Sequence, residues 1–486
     1  KGLAEALRDL RKSTPESPWI ALVEAQINIR AKTYHKAKKN LQIVLNRPGI
    51  EAELLFTSLK IISLVKHEIG LRLILNGIRE ELWKTVIANI SLGWHARILE
   101  NIGFSEDSDK SNLKPLATYL ISYFANRAYD DDLFDLAFFF EAEIYKNYIT
   151  RFENEEAFGY GMNLTKEAAL SAGRRHGKHS KSISLNFHNN KPIVGFFIHN
   201  ASMLAHISNI HQYLSSAYTA RYKDFKPIIF CFGGRNTKFE RSFKDIEVEI
   251  IYLDVRPDAK PIALPSQRLS YMREICHELQ VDKLIWVCLA NYMTFAFSMR
   301  LASEQIWWSQ KWTNYNISVV DKHIWSFGIC DKQMRNGQEW LMSWFQKNTW
   351  NENANFFDVS NIREQFSGKL ILGTLSRAQK MNNIKYLKAI CKILQQHNNV
   401  VFIWTGKKQD EFVTKTFKAE GVFEKTKFVG WVNTDTYANV LDIMLDTFPA
   451  GNGITSIQTM VAGKPVLLFK NSGLDVLLGN FRLKTG

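Results

Sequence analysis

One segment restricts the possible folds of this chain more than any other: Leu441 to Phe469, LDIMLDTFPAGNGITSIQTMVAGKPVLLF. An apolar run closes on Asp446-Thr447-Phe448-Pro449, and a small glycine-bearing turn follows, Ala450-Gly451-Asn452-Gly453. A helical pattern opens at Thr455 and Ser456, with Ile457, Met460 and Val461 as its apolar face. Gly463-Lys464-Pro465 ends it, and Val466-Leu467-Leu468-Phe469 reads as the next buried strand. Such a strand–turn–helix–strand unit belongs in a parallel α/β sheet. Its turn glycines let the backbone approach a ligand closely. The first N–H groups of its helix lack internal partners and, with the positive helix end, form an anion site suited to phosphate or diphosphate. Thr455 and Ser456 add hydroxyl donors. A capped βαβ turn with no ligand carries the same signature, so this segment alone does not separate the two.

The surrounding pattern is of the same kind. From Lys191 onward KPIVGFFIH, KPIIFCFGG, VEIIYLD and KLIWVCL read as strands, with helices near 203–220 and 266–280 between some of them. From Gly368 a second set begins: GKLILGTL, NVVFIWTG and KFVGWV as strands, with IKYLKAICKILQQH, KKQDEFVTKTFKAEG and TDTYANVLDIM as helices. Alternation of this kind predicts parallel sheets covered on both faces. Two in series predict a cleft, with ligands beyond the carboxyl ends of the strands. Residues 1–170, in contrast, carry period-3.6 apolar spacing with little proline. One window there, with Ala25, Tyr34, Ala37, Leu41, Val44, Leu45 and Pro48, is tetratricopeptide-like, and no second copy follows it. The expected organisation is an all-helical, TPR-like domain over 1–170 and a polar, basic linker over 171–190. A first Rossmann-like domain over 191–366 ends in a tryptophan-rich connecting region, and a second Rossmann-like domain occupies 367–486.

Composition narrows the class further. The chain has 486 residues, 46% of them hydrophobic and 13% aromatic, which suits packed cores rather than disorder. It opens on Lys1, so a longer parent polypeptide is expected. No apolar run is long enough to cross a bilayer, and no signal-peptide pattern opens the sequence. Cys231, Cys276, Cys288, Cys330 and Cys391 lack CxxC spacing and histidine partners; they read as buried free thiols in a reducing compartment, and the cytoplasm is the expected location. The net charge of +14 is spread, with local runs only at His35–Asn40 and Gly173–Lys181. That distribution lacks the stripes with interleaved aromatics of a nucleic-acid binder, and suits an anionic small molecule or an acidic partner.

At this point DTFPAGNGITSIQTMVAGKPVL, GTLSRAQKMN (Gly373–Asn382), VGWVNTDTYANVLDIMLDT and FAFSMRLASEQIWW (Phe295–Trp308) carry a resemblance. Together they resemble the two-domain, GT-B type glycosyltransferases, and most closely the family that holds O-GlcNAc transferase and the soluble bacterial N-glycosyltransferases of adhesins. Those proteins also place a helical domain before two sheets. The likeness spans roughly residues 190–486. Two departures stand out. The His-Thr-Thr run and following Asp of O-GlcNAc transferase are Gly453, Ile454, Thr455 and Gln458 here, and the bacterial Gly-His-Pro turn is Ser309-Gln310-Lys311. Sugar and acceptor identity therefore stay open.

The resemblance implies an inverting, metal-independent transfer of a sugar from a nucleotide diphosphate, with UDP the expected carrier, to a protein side chain. The helical domain would help present the acceptor protein. A departing diphosphate needs a cation and aligned N–H donors. Lys380 is the candidate cation, Arg377 a possible assistant, and Asn452, Gly453, Ile454 and Thr455 the donors; Trp431 and Val432 would frame the base. On the first sheet, VGFFIHNASMLAH carries His199 and His206, either able to act as base or hold the acceptor. His206 is the preferred catalytic candidate because a helix should open there. Arg268 and Gln305 are acceptor-side candidates. The plain alternatives are a solvated Lys380, a loop-bonded histidine and core packing for Trp431. No DxD motif stands where a metal is expected, and Asp130–Asp132 reads as a solvated patch or helix cap. No metal and no cofactor beyond the donor is expected. The rival functions are a glycan- or lipid-directed transferase of the same architecture and a helical-repeat binding protein with an inactive α/β half.

Overall fold

The structure is a computed structural model, and the residues it describes are 2–14, 17–47, 50–63, 65, 68–89, 114–151, 162–179, 191–201, 205–222, 224–287, 291–309, 315–325, 332–335, 338–342, 354–448 and 454–468. The chain forms two compact units, residues 1–144 and 145–486.

The first unit is helical: α1 (Gly2–Ser13), α2 (Pro18–Arg30), α3 (Tyr34–Leu45), α4 (Ala52–Ser63), α5 (Glu68–Ala88), α6 (Lys114–Asp130) and the start of α7 (Phe134–Arg151). Pro18 opens α2 where its missing N–H costs nothing. Ala25 of α2 and Ala37 of α3 are fully buried and let the pair pack closely, while Leu41, Val44 and Leu45 extend the buried stripe. At Gly70 of α5 a Cβ would lie 2.4 Å from the Tyr34 ring, so this close approach requires glycine. Asp131 follows α6, accepts a 2.9 Å bond from the Trp83 indole N–H and pairs with Arg127 at 3.6 Å. The acidic run is therefore partly a structural tie. Among the described residues no group of three or more His, Cys, Asp and Glu side chains is placed to hold a metal. Nor is any described helix long and apolar enough to cross a membrane.

In the second unit, α8 (Lys166–His179) carries the basic run expected in a linker. The difference has a physical cause: Ala169, Leu170 and Ala172 give the segment a buried face. A Cβ at Gly173 would lie 2.4 Å from the Phe295 carbonyl oxygen, and one at Gly177 2.8 Å from that of Met299. The Ser298 hydroxyl donates to the Leu170 carbonyl. Residues 180–190 lie outside the described set.

The first sheet contains β1 (Ile193–Ile198), β2 (Lys226–Cys231), β3 (Glu249–Tyr252), β4 (Lys283–Trp286), β5 (Glu304–Ser309), β6 (Lys322–Trp325), β7 (Lys332–Arg335) and β8 (Gln338–Met342), in the order β3-β2-β1-β4-β5-β6-β8-β7. All neighbours are parallel except β7 with β8. Its connections include α9 (Ala205–Thr219), α10 (Thr237–Lys244), α11 (Pro265–Glu278) and α12 (Met293–Ser298). The tryptophan-rich stretch after residue 303 thus adds four strands to this sheet. Long apolar runs such as VGFFI and IIFC bury both strand faces, as inner parallel strands require.

The second sheet contains β9 (Leu370–Thr374), β10 (Val400–Trp404), β11 (Thr426–Phe428), β12 (Ile443–Leu445) and β13 (Val466–Leu467), all parallel, in the order β11-β10-β9-β12-β13. Ahead of it runs α13 (Phe356–Glu364); between its strands run α14 (Ile384–Gln396), α15 (Glu411–Ala419), α16 (Thr434–Val440) and α17 (Ile454–Val461). Asn355, Asn383, Asp410 and Asn433 cap α13, α14, α15 and α16 through their side-chain oxygens. Val359 of α13 packs in the same core as Ile371, Ala438 and Leu441. Residues 354–366 therefore pack with the second sheet, upstream of the boundary expected at 366/367. In α17 the buried side chains are Ser456 and Thr459, whereas Met460 and Val461 are exposed, as are Leu467 and Leu468. The small hydroxyl face, rather than the expected apolar one, lies against β12: Thr459 donates to the Met444 sulfur at 3.0 Å, and Ser456 to Asp446 Oδ1 at 3.5 Å.

Candidate active site

All strands of a parallel sheet end on one edge, so the loops after β9, β10, β11 and β12 meet there. They are tied together. Thr374 donates to the Leu445 carbonyl at 2.9 Å and is bonded to the Tyr386 hydroxyl at 2.7 Å, joining the ends of β9 and β12. The Thr405 hydroxyl accepts from the Ser376 N–H at 2.8 Å and donates to the Ser376 carbonyl at 2.8 Å. Gly406 donates to the Gly430 carbonyl at 3.1 Å, and a Cβ on it would lie 3.2 Å from that of Ala378. These contacts brace a 3₁₀ turn, Ala378–Met381, that carries Lys380, half-buried, just after exposed Arg377. Two further cations, Lys407 and Lys408, follow β10 on the same edge and are exposed.

Beyond β12, fully buried Asp446 accepts from the Thr447 N–H at 2.9 Å. Thr455 is half-buried in the first turn of α17. One turn on, the Gln458 amide donates to the buried Asp435 carboxylate at 2.9 Å, pinning α17 to α16. Ile454 opens α17, while its side chain and the expected donors Asn452 and Gly453 lie outside the described residues. Trp431 is 67% exposed, so the core-packing alternative is excluded. Val432 lines a cavity of about 290 Å³ between α13 and α16.

The edge of the first sheet has a different character. His199, after β1, shares a 2.7 Å hydrogen bond between its Nδ1 and the Tyr292 hydroxyl. Its ring stacks on Phe232 at 5.6 Å, and Phe232 stacks on Tyr292 at 4.8 Å. Packing of its nitrogens among these rings, and secondarily the Arg268 charge, holds the imidazole below its ordinary pKa, although the residue keeps an open surface. Arg268 donates through Nε to the Ile262 carbonyl at 2.7 Å and through Nη1 to that of Phe232 at 3.0 Å, with its guanidinium 5.3 Å from the Phe232 ring. It thus organises the β2 loop.

Two expectations fare differently. Gln305 is fully buried; it donates to the Phe297 carbonyl and accepts from the Leu301 N–H, both at 2.9 Å. It is a core tie, not an acceptor contact, because both ends of its amide are used internally. His206 falls on the second residue of α9, as a helix start, and its side chain lies outside the described set. Tyr292 and Phe232 carry no sequence signal for their place beside His199; only the strand order brings them there.

No family model matches the chain. An uncharacterized glycosyltransferase of Methanocaldococcus jannaschii is 29% identical over 132 residues, which is 26% of this chain and 33% of that protein. The match thus spans about a third of the relative's length. Among solved structures, a Thermobaculum terrenum O-GlcNAc transferase mutant aligns over 95% of this chain and 85% of its own, at 13% identity and a TM-score of 0.48. Anabaena HepE, solved with UDP and glucose, aligns over 58% and 82% at 14% identity and a TM-score of 0.42. At such scores the fold rests on the strand orders themselves.

Proposed function

We propose that this protein is a glycosyltransferase that moves a sugar from a nucleotide diphosphate, with UDP the first choice, onto a protein side chain, with inversion at the anomeric carbon. The observation that carries the reading is the braced Ser376–Met381 turn, which sets Arg377 and Lys380 on the same sheet edge as the first turn of α17. The partial match to a glycosyltransferase supports the reaction class.

In this reading the acceptor nucleophile forms a bond to the anomeric carbon as the bond to the diphosphate oxygen breaks. The electron pair leaves with the diphosphate. Lys380, Arg377 and the α17 N–H groups oppose the growing charge, a role worth about 3–4 kcal/mol for a single well-placed donor. A base takes the acceptor proton. His199 suits that role, since the rings packed on it lower its pKa and the Tyr292 bond fixes its ring. His206 is its competitor. Cations of the chain, rather than a divalent ion, neutralise the leaving group; strict dependence on added Mg²⁺ or Mn²⁺ would overturn that part.

The experiment is a transfer assay with UDP- and GDP-sugars, paired with calorimetry of the free diphosphates. UDP binding together with acceptor mass gain is expected, whereas failure of both nucleotides to bind removes the reading. His199→Ala should lower kcat far more than KM. In the parent protein the acid limb of kcat/KM should fall below pH 6.5, following the depressed imidazole. Equal loss in His206→Ala alone would move the base to that residue.

A further inference from the structure

The cavity between α13 and α16 has chemistry that a diphosphate site does not explain. Helix α13 ends shortly before β9 begins, so it runs antiparallel to the strands and its first turn lies at the carboxyl edge. Helix α16 follows β11 directly and starts at the same edge. The Asn355 N–H donates to the Thr436 hydroxyl at 3.0 Å and fastens the two helix starts together. Between them open about 290 Å³, at the small end of the roughly 300–1,000 Å³ typical of small-molecule sites.

The lining decides the ligand class. Val432 and Ile362 form apolar walls, the Thr436 hydroxyl accepts from Asn355 and the Asn433 side-chain oxygen caps α16, and the Asp358 carboxylate, the Asn361 amide and the Tyr437 hydroxyl are the further polar groups of the lining. Among the described residues the lining holds no lysine or arginine, which disfavours phosphate or any other anion. Partial burial, and secondarily the Asp358 charge, keep the Tyr437 hydroxyl protonated. A few short hydrogen-bonding groups between two apolar walls around a small volume match a neutral ring that carries hydroxyls on its edge and C–H groups on its faces.

We infer that this cavity binds a saccharide, one pyranose ring deep, separate from the sugar carried by the nucleotide. The inference draws on the proposed transferase reading only for its purpose, holding a glycan near the donor edge; the binding itself stands alone. A glycan of the acceptor would then be recognised on the nucleotide-side domain.

The test is calorimetry on the whole chain, with neutral mono- and disaccharides, uridine, guanosine and ethanolamine in separate arms. At least one saccharide should bind at one site with a Kd on the order of 1 mM. Asp358→Asn and Tyr437→Phe, each with an unchanged melting temperature, should weaken it tenfold or more. Lys380→Ala should leave saccharide binding unchanged while losing transfer, which separates failure here from failure of the donor reading. Displacement of the saccharide by uridine or guanosine would give the cavity to the donor nucleotide. Ethanolamine binding without saccharide binding would make it a cation site. No saturable binding by any saccharide up to about 100 mM overturns the proposal outright.

Discussion

The two parallel sheets of residues 145–486 present carboxyl edges of opposite character. The first is lined by rings: Phe232 stacks on both His199 and Tyr292, and Arg268 is committed to two backbone carbonyls. The second is open and basic, with Arg377, Lys380, Lys407 and Lys408 on loops cross-braced through Thr405 and Gly406. One edge lowers an imidazole's pKa by packing it among rings beside a committed arginine; the other gathers exposed positive charge on a braced frame. The shared topology therefore says little about chemistry, and the loop residues say most.

The sharpest way to break this contrast is Lys380→Ala. Loss of turnover by 10²–10³-fold, roughly 3–4 kcal/mol, is expected, with folding unaffected. Single-turnover kinetics checks it, and a variant with full activity would make the second edge merely basic. Next comes acid stability, which should originate in the first sheet. His323 on β6 is buried and pushed down to about 4 by desolvation, helped by Lys166. Its folded pKa lies below the unfolded 6.5, so the unfolded chain binds the extra proton between those values. Stability should fall as pH drops from 6.5 toward 4, by up to roughly 3 kcal/mol, and His323→Gln should flatten that slope in urea titrations. Gln305→Ala should then cost about 2–3 kcal/mol of stability by orphaning the Leu301 N–H and leaving a cavity in the core. Activity per folded molecule should stay near the parent's. The smallest change is Trp431→Ala: within about 0.5 kcal/mol in stability, since the ring is exposed, yet with weaker nucleotide binding if it frames the base.

The inner strands are legible in the sequence because parallel strands bury both faces, and runs such as VGFFI and VVFIW leave few alternatives. The asparagine and aspartate caps of α13 to α16 are equally local signals. Orientation is not legible in the same way. The apolar residues Met460 and Val461 point to a buried face of α17, but the neighbouring strand accepts hydroxyl groups at Ser456 and Thr459 instead. Gln305 reads as a polar group reaching a cleft because sequence does not show the carbonyl eight residues earlier and the N–H four residues earlier that take up its amide. The His199–Tyr292 pair, 93 residues apart, depends on β1 lying beside β4, which no local pattern encodes.

The two glycines of α8 have a practical corollary for anyone trimming this protein. Sequence patterning invites a cut near residue 191, where the first strand begins. Such a cut would strip away a helix whose backbone lies against Phe295 and Met299, baring Phe295 and Ser298 to solvent. A separable α/β half must start upstream of Lys166 if it is to keep this packing.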